Sequence, residues 1–393
     1  MKTKRRNKQG LISSLASLLS IAGGLLFGFI LLIIFNPTYA FYGLDKILTT
    51  GLATMDKLGK VFYQSAPLLM TGLSVGFAFK TGLFNIGATG QYTLGTFFAL
   101  VAVVQWKFPW WAALPLAMAG GALLGAIPGL CKALFNVNEV ITSIMFNWIS
   151  LFAVNLSLNN LPLLLSNAWG TVNKERTVLL TSPQFMEYNP NATIPKMGLD
   201  QLMSSPYMSI AVFIAVLAAL VVWMVMNRTT FGYELKACGY NRHASEYAGI
   251  SAKRSIILSM TIAGALAGIG GGLYFLNGAA QYTLVKTLLP MGFNGIPVAL
   301  LASSNPIATI FSALFISYIQ VGGDALQPEY SREIIDIIIA AIIYLSAFAL
   351  LMRGWIGRLF LRKQRENSNE EPAEGPAPLM GTDGDTQQQE AIE

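Results

Sequence analysis

The sequence predicts an all-α, polytopic membrane protein with about ten transmembrane helices. Of its 393 residues, 54% are hydrophobic and 12% are charged, and that charged share is about half of what soluble domains carry. The apolar runs are continuous and close to twenty residues long, as a helix needs to be to cross a hydrocarbon core of about 30 Å. The strands of a membrane β-barrel would instead alternate over segments of about ten residues.

Eight long apolar segments and two shorter ones make up this count. The first follows a basic cluster, as in a signal peptide, but it is long and lacks a clear small-residue cleavage site, so we expect a retained helix. The long segments are 11–35, 61–79, 91–106, 110–131, 140–160, 207–226, 255–276 and 334–352, and the short ones are 292–302 and 307–322.

Lysine and arginine collect before the first span, in residues 228–254 and in residues 353–365. Because basic loops face the cytoplasm, both termini are predicted to be cytoplasmic. Ten spans that start from a cytoplasmic N-terminus place all three basic segments on that side. The net charge of +6 therefore reflects membrane topology, with no nucleic-acid partner. The predicted parts are a basic N-terminus (1–10), a transmembrane domain (11–352) with an ordered external loop (161–206) and a cytoplasmic loop (227–254), a basic juxtamembrane segment (353–365) and a disordered acidic tail (366–393). Residues 37–60 and 281–290 are expected outside.

The chain offers little for catalysis or metal binding. Its two cysteines, Cys131 and Cys238, fall on the predicted cytoplasmic side and have no partner at metal-ligand spacing. We expect no disulfide, no metal site and no catalytic residue.

Glycines at every fourth position predict close helix packing. One ridge is Gly121, Gly125 and Gly129, and a second is Gly264, Gly268 and Gly272.

Two glycine-rich interruptions, residues 80–91 and 289–297, separate apolar runs in the two halves of the chain. Each glycine costs a helix about 1 kcal/mol relative to alanine, so the helix is expected to break in both places. Non-helical backbone at membrane depth is tolerated where protein or a water-filled cavity satisfies it, so paired breaks indicate a central path. Both carry a Phe-Asn pair, Phe84-Asn85 and Phe293-Asn294.

A polar helix face is predicted in residues 140–160, where Ser143, Asn147 and Ser150 follow helical spacing beyond Glu139. These side chains either line a path or bond neighbouring helices.

The energy source of such a path is absent from the chain. No GxxxxGK[ST] phosphate loop occurs, and the spans contain almost no ionisable residue, which argues against a proton-coupled transporter. A passive conduit, or a conduit driven from outside, remains.

The polar segment 229–250 is the place where a partner could drive the path. Gly232 and Gly239 are predicted to interrupt it. Asn241 is a candidate N-cap for a short helix over residues 242–248, closed by Gly249. Arg242 and Glu246 lie one turn apart on this helix, which would fit a groove of another protein.

Three ordered segments resemble one family. Residues 230–250, residues 83–91 and residues 138–142 resemble signatures of the permease subunits of ABC importers in the branched-chain amino acid and simple sugar group, closest to its nucleoside-importing branch. The resemblance covers residues 61–352. Thr89 is a departure, because an acidic residue is common there in the family.

The resemblance implies a type II importer permease in a bacterial cell membrane, paired with a second, related permease as a heterodimer. It also implies cytoplasmic ATPase subunits that hold ATP and magnesium, and an extracytoplasmic substrate-binding lipoprotein. This chain itself would bind no cofactor. The expected substrate is a small neutral solute, nucleosides first, with ribose-like sugars or branched-chain amino acids as alternatives. A passive solute channel is the alternative of a different class.

Two sets of site residues follow from this hypothesis. The substrate pathway is assigned to Phe84, Asn85, Gln91, Asn147, Phe293 and Asn294. Coupling to the ATPase is assigned to Gly239, Asn241, Arg242, Ala244, Glu246 and Gly249.

Overall fold

The computed structural model describes residue 19, residues 21–171 and residues 173–347. The predicted basic N-terminus (1–10), basic juxtamembrane segment (353–365) and acidic tail (366–393) lie outside the described residues.

Helices account for every predicted span in this part of the chain, which confirms the all-α class. Five of them, α5, α6, α9, α12 and α15, are long and apolar enough to cross a membrane. The predicted span 292–302 is divided into two short helices. In chain order the helices are α1 (Ile21–Phe35), α2 (Ala40–Ala53), α3 (Met55–Lys80), α4 (Ala88–Val104), α5 (Trp110–Phe135), α6 (Glu139–Asn160), α7 (Pro183–Tyr188), α8 (Leu199–Leu202), α9 (Ala211–Arg228), α10 (Thr230–Tyr240), α11 (Arg242–Tyr247), α12 (Ala252–Leu276), α13 (Pro290–Phe293), α14 (Gly295–Leu301), α15 (Pro306–Asp324) and α16 (Arg332–Ala347).

Helix α12 occupies the centre of the bundle. In its most apolar stretch 67% of the residues are buried, against 28% in α9, which lies at the periphery. Helices α3, α4 and α5 all pack against α12. Buried side chains of these four helices belong to one continuous core, which also takes in residues of α9, α15, α16 and the segment 161–206.

The two predicted glycine ridges pack against each other and join α5 to α12. A Cβ atom at Gly121 would lie 2.2 Å from the Gly264 carbonyl oxygen, and one at Gly268 would lie 2.3 Å from the Ala117 carbonyl oxygen. Because no side chain fits at such distances, the backbones approach each other as small-residue ridges allow. The predicted close packing of these glycines is confirmed.

The bundle has two distinct ends. At the end that carries α11, the C-termini of α3 and α5 meet α10, α11 and the start of α12. At the opposite end, which carries α7, an ion pair of 2.9 Å joins Lys60, near the start of α3, to Asp324, at the end of α15. Helix α1 ends there too, because the Tyr330 hydroxyl donates to the Asn36 carbonyl at 3.0 Å. The α11 end is the one that the sequence predicts to be cytoplasmic.

The segment 37–60, expected as an external connection, contains helix α2 and the first turn of α3. Gly43, Ile47 and Gly51 follow each other at intervals of four residues and are buried on one side of α2. This side packs on α15, where Gly322 lies so close to Ile47 that a Cβ would be 2.5 Å from its carbonyl oxygen. The two glycines in so short an apolar run obscured the helical signal, since glycine disfavours helices.

The long loop 161–206, apart from residue 172, packs against the helical bundle. Asn189 donates to the Val103 and Phe108 carbonyls at 2.8 and 3.1 Å, and the Ile194 amide bonds the Leu276 carbonyl at 2.9 Å. Phe185 is fully buried, and the Trp169 ring packs edge-on against it at 5.1 Å. The loop therefore covers the α7 ends of α4 and α12.

Candidate translocation site and coupling loop

A non-helical segment, residues 81–87, separates α3 from α4. Gly82 adopts a φ of +73°, a conformation that glycine reaches without the steric cost of a side chain. Helix α4 then begins at Ala88 inside the bundle, and most of its residues are buried. The first predicted break is confirmed, and it directs α4 into the bundle.

Two amide side chains fold this segment back on α4. Asn85 and Gln91 are almost fully buried and exchange two hydrogen bonds, of 2.8 Å from Asn85 Nδ2 and 3.0 Å from Gln91 Nε2. Asn85 Nδ2 also donates to the Ser74 hydroxyl at 3.0 Å. The Ser74 contact could not be found from the sequence, because a serine in a helix commonly bonds the backbone of its own preceding turn.

The polar face of α6 bonds the start of α4. Asn147 accepts a hydrogen bond from the Gly90 amide at 2.8 Å and donates to the Ile86 carbonyl at 3.1 Å. Ser150 donates to the Gly90 carbonyl at 2.9 Å. The third member of this face, Ser143, has a buried hydroxyl without a partner among the described residues. The sequence left open whether this polar face lines a path or bonds neighbouring helices. Asn147 and Ser150 bond the neighbouring helix α4 and the segment before it.

The second predicted break meets the first inside the bundle. Helices α13 and α14 join at Asn294. A Cβ at Gly292 would lie 2.3 Å from the Thr89 Cα, and one at Gly295 would lie 2.7 Å from the Thr71 carbonyl oxygen. Backbone from the two halves of the chain is therefore in direct contact at the first turn of α4.

Three of the six predicted pathway residues, Phe84, Phe293 and Asn294, are only half-buried. The Phe84 ring stacks on Phe79 with 5.1 Å between centroids. The Asn294 amide makes no side-chain hydrogen bond within the described chain, so its donors and acceptor are available to a ligand. The other three pathway residues are the buried amides, whose hydrogen bonds are made with protein groups.

One group at this meeting point was not among the predicted site residues. The Thr89 hydroxyl is buried beside Gly292, and it has no partner in the part of the chain that the structure describes. Buried polar atoms without a protein partner are rare and call for an explanation such as a bound water or ligand. The sequence singles out Thr89 only as a departure from the family pattern.

The predicted short helix of the loop 227–254, here called the coupling loop for its predicted role, is α11. Asn241 is its N-cap, and the Asn241 side-chain oxygen accepts a hydrogen bond from the Ala244 amide at 3.0 Å. Arg242 Nε and Glu246 Oε1 lie 3.3 Å apart one turn along the helix, on the protein surface. The predicted N-cap is confirmed.

The predicted C-cap of α11 is confirmed as well. Gly249 has a φ of +82°, and its amide bonds the Glu246 carbonyl at 3.0 Å. The Ile250 amide bonds the Ser245 carbonyl, also at 3.0 Å. These two bonds form a Schellman motif, in which a left-handed residue closes the helix.

The prediction that Gly232 and Gly239 interrupt the loop is wrong, because both lie within α10. They serve close packing instead of turns. A Cβ at Gly232 would lie 2.1 Å from the Val225 carbonyl oxygen, and one at Gly239 would lie 2.7 Å from the Gly82 amide nitrogen. Helix α10 is thereby held against both α9 and the first break.

Two aromatic side chains of the coupling loop are almost completely exposed, Tyr240 at the end of α10 at 89% and Tyr247 at the end of α11 at 95%. Asn241, Ala244 and Glu246 are exposed on the same loop. Large exposed aromatic side chains are typical of protein contact surfaces.

The permease component family of branched-chain amino acid transport systems matches residues 58–347. The chain belongs to this family. It is the membrane-spanning permease subunit of an ABC importer, in the cell membrane.

Individual relatives cover most of this permease. It is 34% identical to the nucleoside ABC transporter permease protein NupB of Lactococcus lactis over 86% of this chain and 92% of that protein. It is 35% identical to the guanosine ABC transporter permease protein NupP of Bacillus subtilis, over 77% and 84%. The glucose ABC transporter permease protein TsgB13 of Haloferax volcanii is 28% identical, over 82% and 83%.

The two bacterial relatives come from organisms with a second matching permease. NupC of L. lactis and NupQ of B. subtilis are 26% and 25% identical to this permease, over 68% and 75% of its length. No solved structure matches the chain significantly.

The interior of the permease is almost free of charge. Among the buried side chains of the described residues, Glu139 is the one charged group, and it lies at the α11 end. It is paired with Lys132, whose Nζ is 2.5 Å from Glu139 Oε2. The other described polar residues that are buried as a whole carry hydroxyls and amides, which hydrogen-bond a solute without requiring it to be charged.

Proposed function

We propose that this permease carries nucleosides inward through an ATP-driven ABC importer. The observation that carries the proposal is the uncharged polar interior where the two chain breaks meet. A neutral solute with hydroxyl groups is matched by neutral hydrogen-bonding partners, since an unpaired charge at membrane depth is costly. The similarity to NupB and NupP over most of the chain supports nucleosides as the class.

The pathway passes the junction of α4 with α13 and α14. In this proposal the Thr89 hydroxyl and the Asn294 amide bind the solute, because neither group makes a hydrogen bond to a described residue. The side chains of Asn85, Gln91 and Asn147 form the second layer around the path. Their hydrogen bonds hold the non-helical backbone in place. Phe84 and Phe293 supply half-buried aromatic surface on which a nucleobase can stack.

The partners follow from the same proposal. Cytoplasmic ATPase subunits, which bind ATP and magnesium, would contact α11 and the exposed Tyr240 and Tyr247. A second, related permease would complete the path, as the presence of NupB with NupC and of NupP with NupQ suggests. An extracytoplasmic binding lipoprotein would deliver the solute at the α7 end.

Uptake by the reconstituted complex tests the proposal. Proteoliposomes containing both permeases and the ATPase, supplied with the binding protein, should accumulate labelled uridine when ATP is present. Excess guanosine should compete, whereas ribose and leucine should not. Competition by ribose or leucine alone would reassign the substrate to the sugar or amino acid class, and equilibration of uridine without ATP would indicate a passive channel.

A further inference from the structure

A small cavity at the α11 end is separate from the junction of the two breaks. It has a volume of about 120 Å³. Pockets for drug-sized ligands start at about 300 Å³, so a whole nucleoside does not fit. One water needs about 10–15 Å³ of such space, so the cavity is large enough for a compact ion or chemical group. Residues from α5, α10, α11, α12 and the first break line it, among them Thr81, Lys132, Cys238, Arg242 and Ser255.

The cavity contains a hydroxyl that nothing in the described chain satisfies. Ser255 is 7% exposed and lines the cavity, and its hydroxyl makes no hydrogen bond to any described residue. The Thr81 hydroxyl, by contrast, bonds the Ala78 carbonyl at 2.8 Å and also contacts the Ser259 hydroxyl. Ser255 therefore presents a free donor to whatever occupies the cavity.

Two cationic side chains line the same cavity with hydrogen-bond donors to spare. Lys132 uses one of its three donors on Glu139, and Arg242 uses its Nε on Glu246. The two terminal nitrogens of the Arg242 guanidinium make no hydrogen bond to a described residue, and their planar arrangement suits phosphate oxygens. Glu139 and Glu246 each offset one positive charge, but neither carboxylate uses all the hydrogen-bond donors of the cation that it pairs with.

The start of α12 adds further positive potential. Ser255 lies in the first turn of this helix of 25 residues, which has neither an acidic residue in that turn nor a side-chain cap. Lys253 and Arg254 lie there instead, where they add to the positive end of the helix dipole rather than offset it. Together with the free Ser255 hydroxyl, this arrangement favours an anion at the site.

We propose that this cavity binds a phosphate group, from a phospholipid headgroup or a soluble phosphate. The ligand bridges Arg242 of α11 to Lys132 of α5 and Ser255 of α12. It holds the coupling loop against the bundle. The binding site stands on its own geometry and does not depend on which solute the permease carries.

Alkylation of Cys238 provides a direct readout, because this thiol lines the cavity. The Cys131→Ser variant leaves it as the one thiol of the chain. In detergent without phospholipid, inorganic phosphate should slow the reaction of Cys238 with N-ethylmaleimide in a saturable way, while potassium chloride of equal ionic strength should not. Equal protection by chloride would reduce the effect to charge screening and overturn the proposal.

Charge variants separate the site from the ion pairs around it. Arg242→Gln should weaken phosphate protection at least about tenfold, whereas Glu246→Gln breaks the same ion pair, frees the cation and should keep or strengthen it. Lys236→Gln, in α10 but not on the cavity, is the control for net charge. If phosphate protected Cys238 equally well in wild type, Arg242→Gln and Glu246→Gln, the proposal would be overturned, even if transport were altered.

Nanodiscs distinguish the two sources of phosphate. If a lipid headgroup is the ligand, Cys238 should react more slowly in phosphatidylglycerol discs than in phosphatidylcholine discs, with no added phosphate. If soluble phosphate is the ligand, added phosphate should protect equally in both. Reaction at one unprotected rate in all these conditions would overturn the proposal.

Discussion

Gly82 and Gly239 touch through their backbones. A Cβ at Gly82 would lie 2.6 Å from the Gly239 Cα, and one at Gly239 would lie 2.6 Å from the Thr81 carbonyl carbon. Gly82 belongs to the first break, which the Asn85–Gln91 pair fixes to α4, and Gly239 belongs to α10, which leads into α11. The contact therefore links the loop that faces the proposed ATPase to the helix at the proposed path.

Replacing Gly239 with alanine should uncouple transport from ATP hydrolysis. The added methyl group forces α10 away from the first break, because the nearest atoms are backbone and cannot move aside. We expect uptake to fall at least about tenfold while the amount of folded protein in the membrane changes little. Substrate-stimulated ATP hydrolysis and uptake, measured in the same vesicles, check this. Gly23→Ala, where no atom lies within 4 Å, is the control, and wild-type coupling in Gly239→Ala would contradict the role of the contact.

Gly249→Ala tests the C-cap of α11. A side chain at a φ of +82° costs about 1–2 kcal/mol, although no atom lies within 4 Å of the added Cβ. The end of α11 should reorganise, and uptake should fall while abundance is preserved. Gly170→Ala, with the same φ and equally open surroundings on the long loop, imposes the same local strain at the other end. Equal loss of uptake in both variants would show that strain alone, not the coupling loop, is responsible.

Asn85→Leu should lower abundance. It leaves the buried Gln91 amide and Ser74 hydroxyl without their partner, and each buried polar group left unpaired costs about 1–3 kcal/mol. The amount of folded protein after detergent extraction measures this. Full abundance with reduced uptake would instead place Asn85 in contact with the solute.

Asn294→Leu should have the opposite signature, reduced uptake at normal abundance, because the Asn294 side chain makes no hydrogen bond to the described residues that the substitution would remove, and it lies at the junction of α13 and α14. An increase in the KM for uridine, with little change in the maximal rate, is the expected form of the loss. Asn305→Leu is the contrasting control, because this asparagine does have a protein partner. Its side chain caps α15 by accepting a hydrogen bond from the Ile307 amide at 3.0 Å. Unchanged uptake in Asn294→Leu would remove Asn294 from the path.

Gly121→Ala should destabilise the bundle. The new Cβ would sit 2.2 Å from the Gly264 carbonyl oxygen, and helices α5 and α12 would have to separate. Overpacking of this kind typically costs about 1–3 kcal/mol. Gly76→Ala, with no atom nearer than 3.5 Å, is the matched control and should keep its thermal stability in detergent. Equal melting temperatures would contradict the ridge contact.

The sequence by itself determined the class, the approximate helix bounds and the caps of α11. These features depend on local chemistry, namely the length of an apolar run, an asparagine before a helix and a glycine after it. The glycine-rich stretches 80–91 and 289–297 also predicted the two breaks, and the signature at residues 230–250 indicated the segment proposed to couple to the ATPase.

Only the tertiary structure decided what the glycines and amides do. Gly232 and Gly239 read as interruptions because glycine disfavours helices, yet both lie inside α10. The reason is the close approach of α9 and the first break, which no local pattern encodes. In the same way, the partners of Asn85 and Asn147, and the lack of a partner for the Thr89 hydroxyl among the described residues, depend on residues distant in the sequence. Whether a buried polar group is satisfied is a property of the packed bundle, and it separates the residues that hold the path from those available to a ligand.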